Sequence, residues 1–285
     1  MLSSIAIVSQ SANVSTNELL RVSGALQKQV ARDFGPLWNI EATVDAFASV
    51  ADVPAGYWPL IVVDSIDSGD KGIHGQRDGQ PIALVEAGPD WTLSASHECL
   101  EMLSDPWGRR LVAGDSLEEN GERVEYLVEV CDPCQAAPFG YRVNEVLVAD
   151  FYTPSYFDPS GSTGGRYDFT GSISHPRKVL EGGYLSWRDP ATNHLHRADC
   201  IGGEVWLFDL GEVPTSVVSL RSVIDSRPGG GRRLRRLYLA RNRARKRIDP
   251  RRRHTAAEAR QSRLYEQFAS LRPQQPVLRP SPKKK

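Results

Sequence analysis

The stretch TLSASHECLEMLSDPWG, residues 92–108, decides how this chain is read. It predicts a helix that ends before Pro106, because a proline ring disfavours helical backbone in the residue ahead of it. Ala95, Cys99, Met102 and Leu103 fall on one stripe of that helix, and His97, Glu98, Glu101 and Asp105 on the other side. One reading is an amphipathic helix with a solvated charged face. The other takes the core of the stretch, an H-E-x-x-E pattern, as chemistry.

Residues four apart on a helix project from the same face, so His97 and Glu101 can grip one cation. Glu98 lies about 100° further round the axis, beside the ion rather than on it. That is where a general base for a metal-bound water belongs. Zinc is the expected ion, since imidazole and carboxylate both ligate it, although another divalent metal is an alternative. A third ligand must come from elsewhere. Glu129, in VEVCDP, is the first candidate, with Asp132 and Asp105 as alternatives. Asp105 could instead orient a ligand or close the helix end. His74 is read as a solvated residue of a glycine-punctuated loop (Gly69, Gly72, Gly75, Gly79), with a ligand role as the outside alternative.

Working outward, SSIAIVS reads as a strand. Ser15 and Glu18 make a capping box, and Leu19, Leu26, Val30 and Phe34 recur at helical spacing until Gly35-Pro36 stops the helix. ATVDAFASV, WPLIVVDSI and PIALVEAG read as strands leading to the H-E-x-x-E helix. RVEYLVEVCD and YRVNEVLVADF are expected to form a hairpin. Residues 154–200 read as a loop-rich region with short strands such as GGYLSW, and EVWLFDL and SVVSL as late strands. The fold class expected is α+β.

Glu101 stands where the zincin metallopeptidases, which the helix resembles, carry the second histidine of H-E-x-x-H. The preceding strand–helix start and the strand PIALVEAG are also similar to a zincin core. The chain resembles more closely an uncharacterised bacterial and phage family of metalloprotease-like proteins, through SHECLEMLSDP (96–106), EVCDPC (129–134), FYTPSYF (151–157), YDFTG (167–171) and EGGYLSW (181–187). The resemblance covers most of residues 1–210. It implies a zincin-like mixed sheet with an active-site helix over residues 1–225, and a zinc-dependent peptidase with Glu98 as its base. A carboxylate in place of the second imidazole adds negative charge at the ion, which weakens its Lewis acidity and favours harder ions. The alternative is a zincin-like binding protein without catalysis.

Cys131 and Cys134 form a C-x-x-C that, with His194, His196 and Cys200, could make a structural zinc site. Ordinary reduced cysteines are the simpler reading. Cys99, on the apolar stripe, reads as core.

The net charge of zero over 285 residues hides a division. Residues 227–285 carry 20 Lys+Arg and 3 Asp+Glu, leaving 15 and 32 for the rest, so a segment of +17 follows one of −17. Residues 226–285 are therefore read as an Arg/Lys-rich tail, partly helical and partly disordered. It would attract nucleic acid or another polyanion with weak specificity through phosphate contacts, or dock on an acidic partner. No apolar run approaches the roughly 18–20 residues of a membrane helix, and no basic residue precedes the first apolar patch, so a cytoplasmic location is expected.

Overall fold

A computed structural model of the chain describes residues 2–117, 123–158, 165–215, 219–227 and 266–267. It is a mixed α/β structure with several sheets and few helices, as the α+β expectation requires. The first sheet is built by β1 (Ser3–Ser9), β2 (Ala42–Ala46), β3 (Trp58–Val63), β4 (Gly72–Arg77) and β5 (Gln80–Glu86). Its order is β2-β1-β3-β5-β4, parallel except for β4, which runs antiparallel to β5 at the edge.

Alternate residues of β3 serve different faces, as the two-residue strand period dictates. Leu60 and Val62 join the main core, while Ile61 and Val63 pack with Ile66, Ile73, Ile82 and Leu84 in a second cluster. The uninterrupted apolar runs of β1, β3 and β5 are those of strands buried on both sides.

Two helical segments cover the main-core face. The first, α1 (Thr16–Lys28), begins at Ser15, whose Oγ accepts from the Glu18 N–H at 3.2 Å. The reciprocal half of the expected capping box is replaced: Glu18 Oε1 accepts from Trp91 Nε1 at 2.9 Å. Gly35-Pro36 does not stop the helix. The chain passes through a π turn (Gln29–Phe34) into α2 (Gly35–Trp38) and ends at Asn39, φ 52°. Proline is tolerated there because it opens a new helical turn, where its missing N–H is not needed. A side chain at Gly35 would meet the carbonyl oxygens of Ile40 and Val30. The second covering helix is α3 (Trp91–Ser104), which follows β5 directly.

A second sheet, antiparallel throughout, comprises β6 (Leu111–Asp115) and β7 (Arg123–Leu127), and later β10, β11 and β12 (Tyr184–Arg188, His194–Ile201, Glu204–Glu212), in the order β12-β11-β10-β7-β6. Between them, β8 (Tyr141–Val143) and β9 (Val146–Val148) pair with each other. The hairpin expected between RVEYLVEVCD and YRVNEVLVADF thus lies wholly within the second segment. Asn144 and Glu145, both at positive φ, make its two-residue turn, and β7 pairs instead with β6 and β10.

Of SVVSL, residues 216–218 lie outside the described residues, and the remainder starts a helix rather than a strand. Ser219 Oγ accepts from the Ser222 N–H and opens α4 (Leu220–Ser226). Leu220, Val223 and Ile224 pack on Leu127 and Leu195 of the second sheet. The basic segment lies outside the described residues, save Arg227, Glu266 and Gln267. Among the described residues, no helix is long and apolar enough to cross a membrane.

Candidate metal centre

Helix α3 has no solvated face. His97 is 8% exposed, Glu98 3% and Glu101 0%. The solvated amphipathic reading is therefore replaced by a helix whose charged side is buried against other charges. Cys99 lies in the core as expected, and burial pushes its thiol pKa up to about 12.

Glu101 is the hub. His97 Nε2, one turn back, lies 3.1 Å from Glu101 Oε2. The other carboxylate oxygen, Oε1, accepts from the Cys131 N–H at 3.1 Å, which ties α3 to the EVCDPC segment. That segment turns through a short 3-10 helix, Asp132–Cys134. It brings Asp132 Oδ1 to 3.2 Å from His97 Nε2 and places Glu129, 4% exposed, beside Asp132 and Glu101.

The edge strand supplies the next member. His74 is not on a solvated loop: it is a β4 residue opposite Ala83, and its side chain is fully buried. Its Nδ1 is 3.1 Å from Glu98 Oε2 and 3.7 Å from Glu101 Oε2, and its Nε2 is 3.9 Å from Glu129 Oε2. The hairpin that carries it turns at Asp78-Gly79, φ 50° and 77°. An Asp-Gly pair between two strands is a strong hairpin signal, and it was the clue that could have placed His74 on a strand. Gly72, on the same strand, makes room: a Cβ there would stand 2.5 Å from Glu98 Oε1.

Arg221 of α4 was not anticipated. Its NH1 contacts Glu129 Oε2 at 2.5 Å, Asp132 Oδ2 at 3.1 Å and Glu101 Oε2 at 3.4 Å, and its Nε meets Asp225 Oδ2 at 3.0 Å. The sequence signal was local: Ser219 as a cap, Leu220, Val223 and Ile224 at helical spacing, and Arg221 with Asp225 four residues apart.

The electrostatics are those of a crowded acidic site. Burial alone would lower the His97 pKa. Glu101, Asp132 and Glu98 more than reverse this and hold the imidazole well above its ordinary range. Burial disfavours charge on Glu101 too, but His97 and Arg221 keep its pKa well below normal. Glu129 goes the other way: burial, with Glu101 and Asp132 as neighbours, raises it well above normal despite Arg221. Burial lifts Asp225 to about 6, against the pull of Arg221. Five carboxylates (Glu98, Glu101, Glu129, Asp132, Asp225) thus face three basic groups, His74, His97 and Arg221. The set remains acidic even with both imidazoles protonated. His74 Nε2 and Glu129 Oε1 are buried without a hydrogen-bond partner.

This donor set fits a divalent cation. Three groups of ligand atoms converge within 4.8 Å: His97, Glu101 and Cys131; His74, Glu98 and Glu101; Glu101, Glu129 and Asp132. Tetrahedral ligands at zinc bond lengths stand about 3.4 Å apart, close to the His97–Glu101 and His97–Asp132 separations. Asp105 is elsewhere: its Oδ2 accepts from the Arg110 N–H at 2.8 Å and closes the turn after α3.

The second set of candidates is not brought together. Among the described residues, no such group includes Cys134, His194, His196 or Cys200. His194, on the exposed face of β11, pairs with Asp209 at 3.0 Å, and His196 stacks on Trp187. All four cysteines are buried free thiols. No protein-family model, curated protein or solved structure matches the chain.

Proposed function

We propose that the chain is a metal-dependent hydrolase acting on peptide bonds, built on a zincin-like core. The observation that carries this reading is the convergence on Glu101 of two buried histidines and three further buried carboxylates with more negative charge than the resident cations balance. The arrangement of elements supports the zincin-like part: a sheet that is parallel except for its edge strand β4, with the H-E-x-x-E helix following β5 and packed against it.

His97 and Glu101 would hold the ion with a carboxylate from EVCDPC. In the arrangement present Asp132 Oδ1 lies 3.2 Å from His97 Nε2, while Glu129, the first candidate from sequence, is engaged by Arg221. Zinc fits the His97 nitrogen. The carboxylate-rich remainder also suits harder divalent ions. Such an ion supplies a water of lowered pKa and an electrophile for a carbonyl oxygen. Glu98 accepts the water's proton and later delivers it to the leaving nitrogen. His74, 3.1 Å away, keeps the Glu98 carboxylate turned inward. The closed surroundings exclude water and strengthen every charge interaction.

The test is elemental analysis of purified wild type, His97→Ala and Glu101→Gln. About one divalent ion per wild-type chain is expected, with depletion in both variants. Equal metal content in all three would refute the reading.

A further inference from the structure

Arg221 reaches the carboxylates that an ion would use. Arg221 NH1 lies on Glu101, Glu129 and Asp132 at 3.4, 2.5 and 3.1 Å, and its Nε on Asp225, so both nitrogens are committed to carboxylates. Its place in the site is that of a cation among acids.

The element that carries it is one short helix, with Leu220, Arg221, Val223, Ile224 and Ser226 buried. The Arg221 N–H and Ser219 Oγ both donate to the Gly108 carbonyl, at 3.1 and 3.2 Å, just beyond the end of α3. Gly108 has to be a glycine for this: at φ 59° a Cβ would lie 2.4 Å from Ser219 Oγ and 2.7 Å from the Arg221 Cβ. Leu220, Val223 and Ile224 supply a small apolar contact. After α4, Arg227 NH1 donates to the carbonyls of Leu210 and Gly211 at 2.6 and 2.7 Å, and there the basic segment begins. Seven helical residues, anchored by a glycine carbonyl and a few aliphatic side chains, thus insert one guanidinium into the acidic centre.

We propose that Arg221 is an internal counter-ion that competes with the metal, so that ion binding and docking of α4 oppose one another. This rests on the metal reading above. One positive charge close to Glu101, Glu129 and Asp132 repels a divalent ion held by the same oxygens, and Glu129 becomes a free ligand only when Arg221 NH1 withdraws. Ion loading therefore loosens α4 and the start of the basic segment. Conversely, anything that pulls on that segment makes the site easier to load. Linkage requires the two effects to be equal in size.

The test uses the full chain stripped of metal by chelation. Zn²⁺ and Mn²⁺ affinities are measured by calorimetry for wild type, Arg221→Met and Arg221→Lys. Hydrogen exchange of residues 219–227 is followed in wild type with and without ion. Competition predicts about 10-fold or greater tightening in Arg221→Met. Arg221→Lys, which keeps the charge but loses the fork, falls between the two. Ion addition to wild type speeds exchange across α4. If Arg221→Met does not fold, the lysine variant and the wild-type exchange decide the matter. Ion binding that is equal or weaker in the variants, or α4 exchange that is unchanged or slowed, overturns the competition and leaves the metal reading standing. Absence of ion binding in every folded chain overturns both.

Discussion

His74 Nδ1 lies 3.1 Å from Glu98 Oε2. An edge strand thereby holds the one acidic residue of the H-E-x-x-E helix that its helical neighbours would leave at the flank of the proposed ion. The general-base assignment turns on this pair, because a carboxylate that accepts a proton from water must be near the ion without binding it.

Glu98→Gln keeps the size and a hydrogen-bonding oxygen but cannot take a proton. Metal content should stay at the wild-type level, while hydrolysis of a peptide substrate falls roughly 100- to 10,000-fold. Unchanged turnover with metal retained would remove Glu98 from the reaction.

Gly72 is a second handle on the same carboxylate. In Gly72→Ala the new methyl would stand 2.5 Å from Glu98 Oε1, and Glu98 is buried. A loss of about 1–3 kcal/mol from overpacking is expected in chemical denaturation, together with loss of hydrolytic activity. Wild-type stability would show that β4 yields freely.

Arg221 should matter most when no ion is present. Its side chain is 5% exposed and its partners are acidic. In the chelated protein, Arg221→Met leaves buried carboxylates facing one another and should cost about 3–5 kcal/mol. Saturating ion should restore part of that loss. Urea midpoints with and without ion give the comparison.

Asp150 provides a pH test away from the centre. It is fully buried. Burial and the neighbouring Asp168 push its pKa from 3.8 to about 8, with Thr170 donating to both carboxylates. A carboxyl raised on folding is protonated in the native chain and ionised in the unfolded one across this interval. Its contribution to stability is complete below pH ~4 and is lost as pH rises toward 8, at roughly 1.4 kcal/mol per unit at most. Asp150→Asn mimics the protonated acid. The stability difference between wild type and variant should shift in the variant's favour from pH 5 to pH 8. A pH-independent difference would mean that Asp150 does not carry this proton.

The charge division predicts chromatographic behaviour. Full-length protein should elute from heparin at markedly higher salt than a chain ending at Arg227, because phosphate-like contacts scale with the number of arginines and lysines. Coincident elution would remove the polyanion reading of the basic segment.

The H-E-x-x-E pairing was legible because it is local. Any helix over residues 92–104 sets His97 and Glu101 on one face, and the 3.1 Å contact follows. The order of strands up to Glu86 was legible for a similar reason, since β1, β3 and β5 are unbroken apolar runs. Sequence and structure part where two local signals compete. The Asp78-Gly79 turn signal competes with the glycines around it, which read as a loop. SVVSL reads as a strand, yet Ser219 caps a helix from Leu220. Gly35-Pro36 reads as a helix end, but the backbone passes through a π turn into α2.

From sequence alone came the α+β class, the helix that carries the candidate ligands and the separation of −17 from +17. Only the tertiary structure brought His74, Asp132 and Arg221 onto Glu101 and removed water from around them. Those contacts join residues 27 to 120 positions apart in the chain. No spacing rule spans such distances: which side chains meet is decided by strand register, by the packing of α3 beneath the sheet and by the docking of α4.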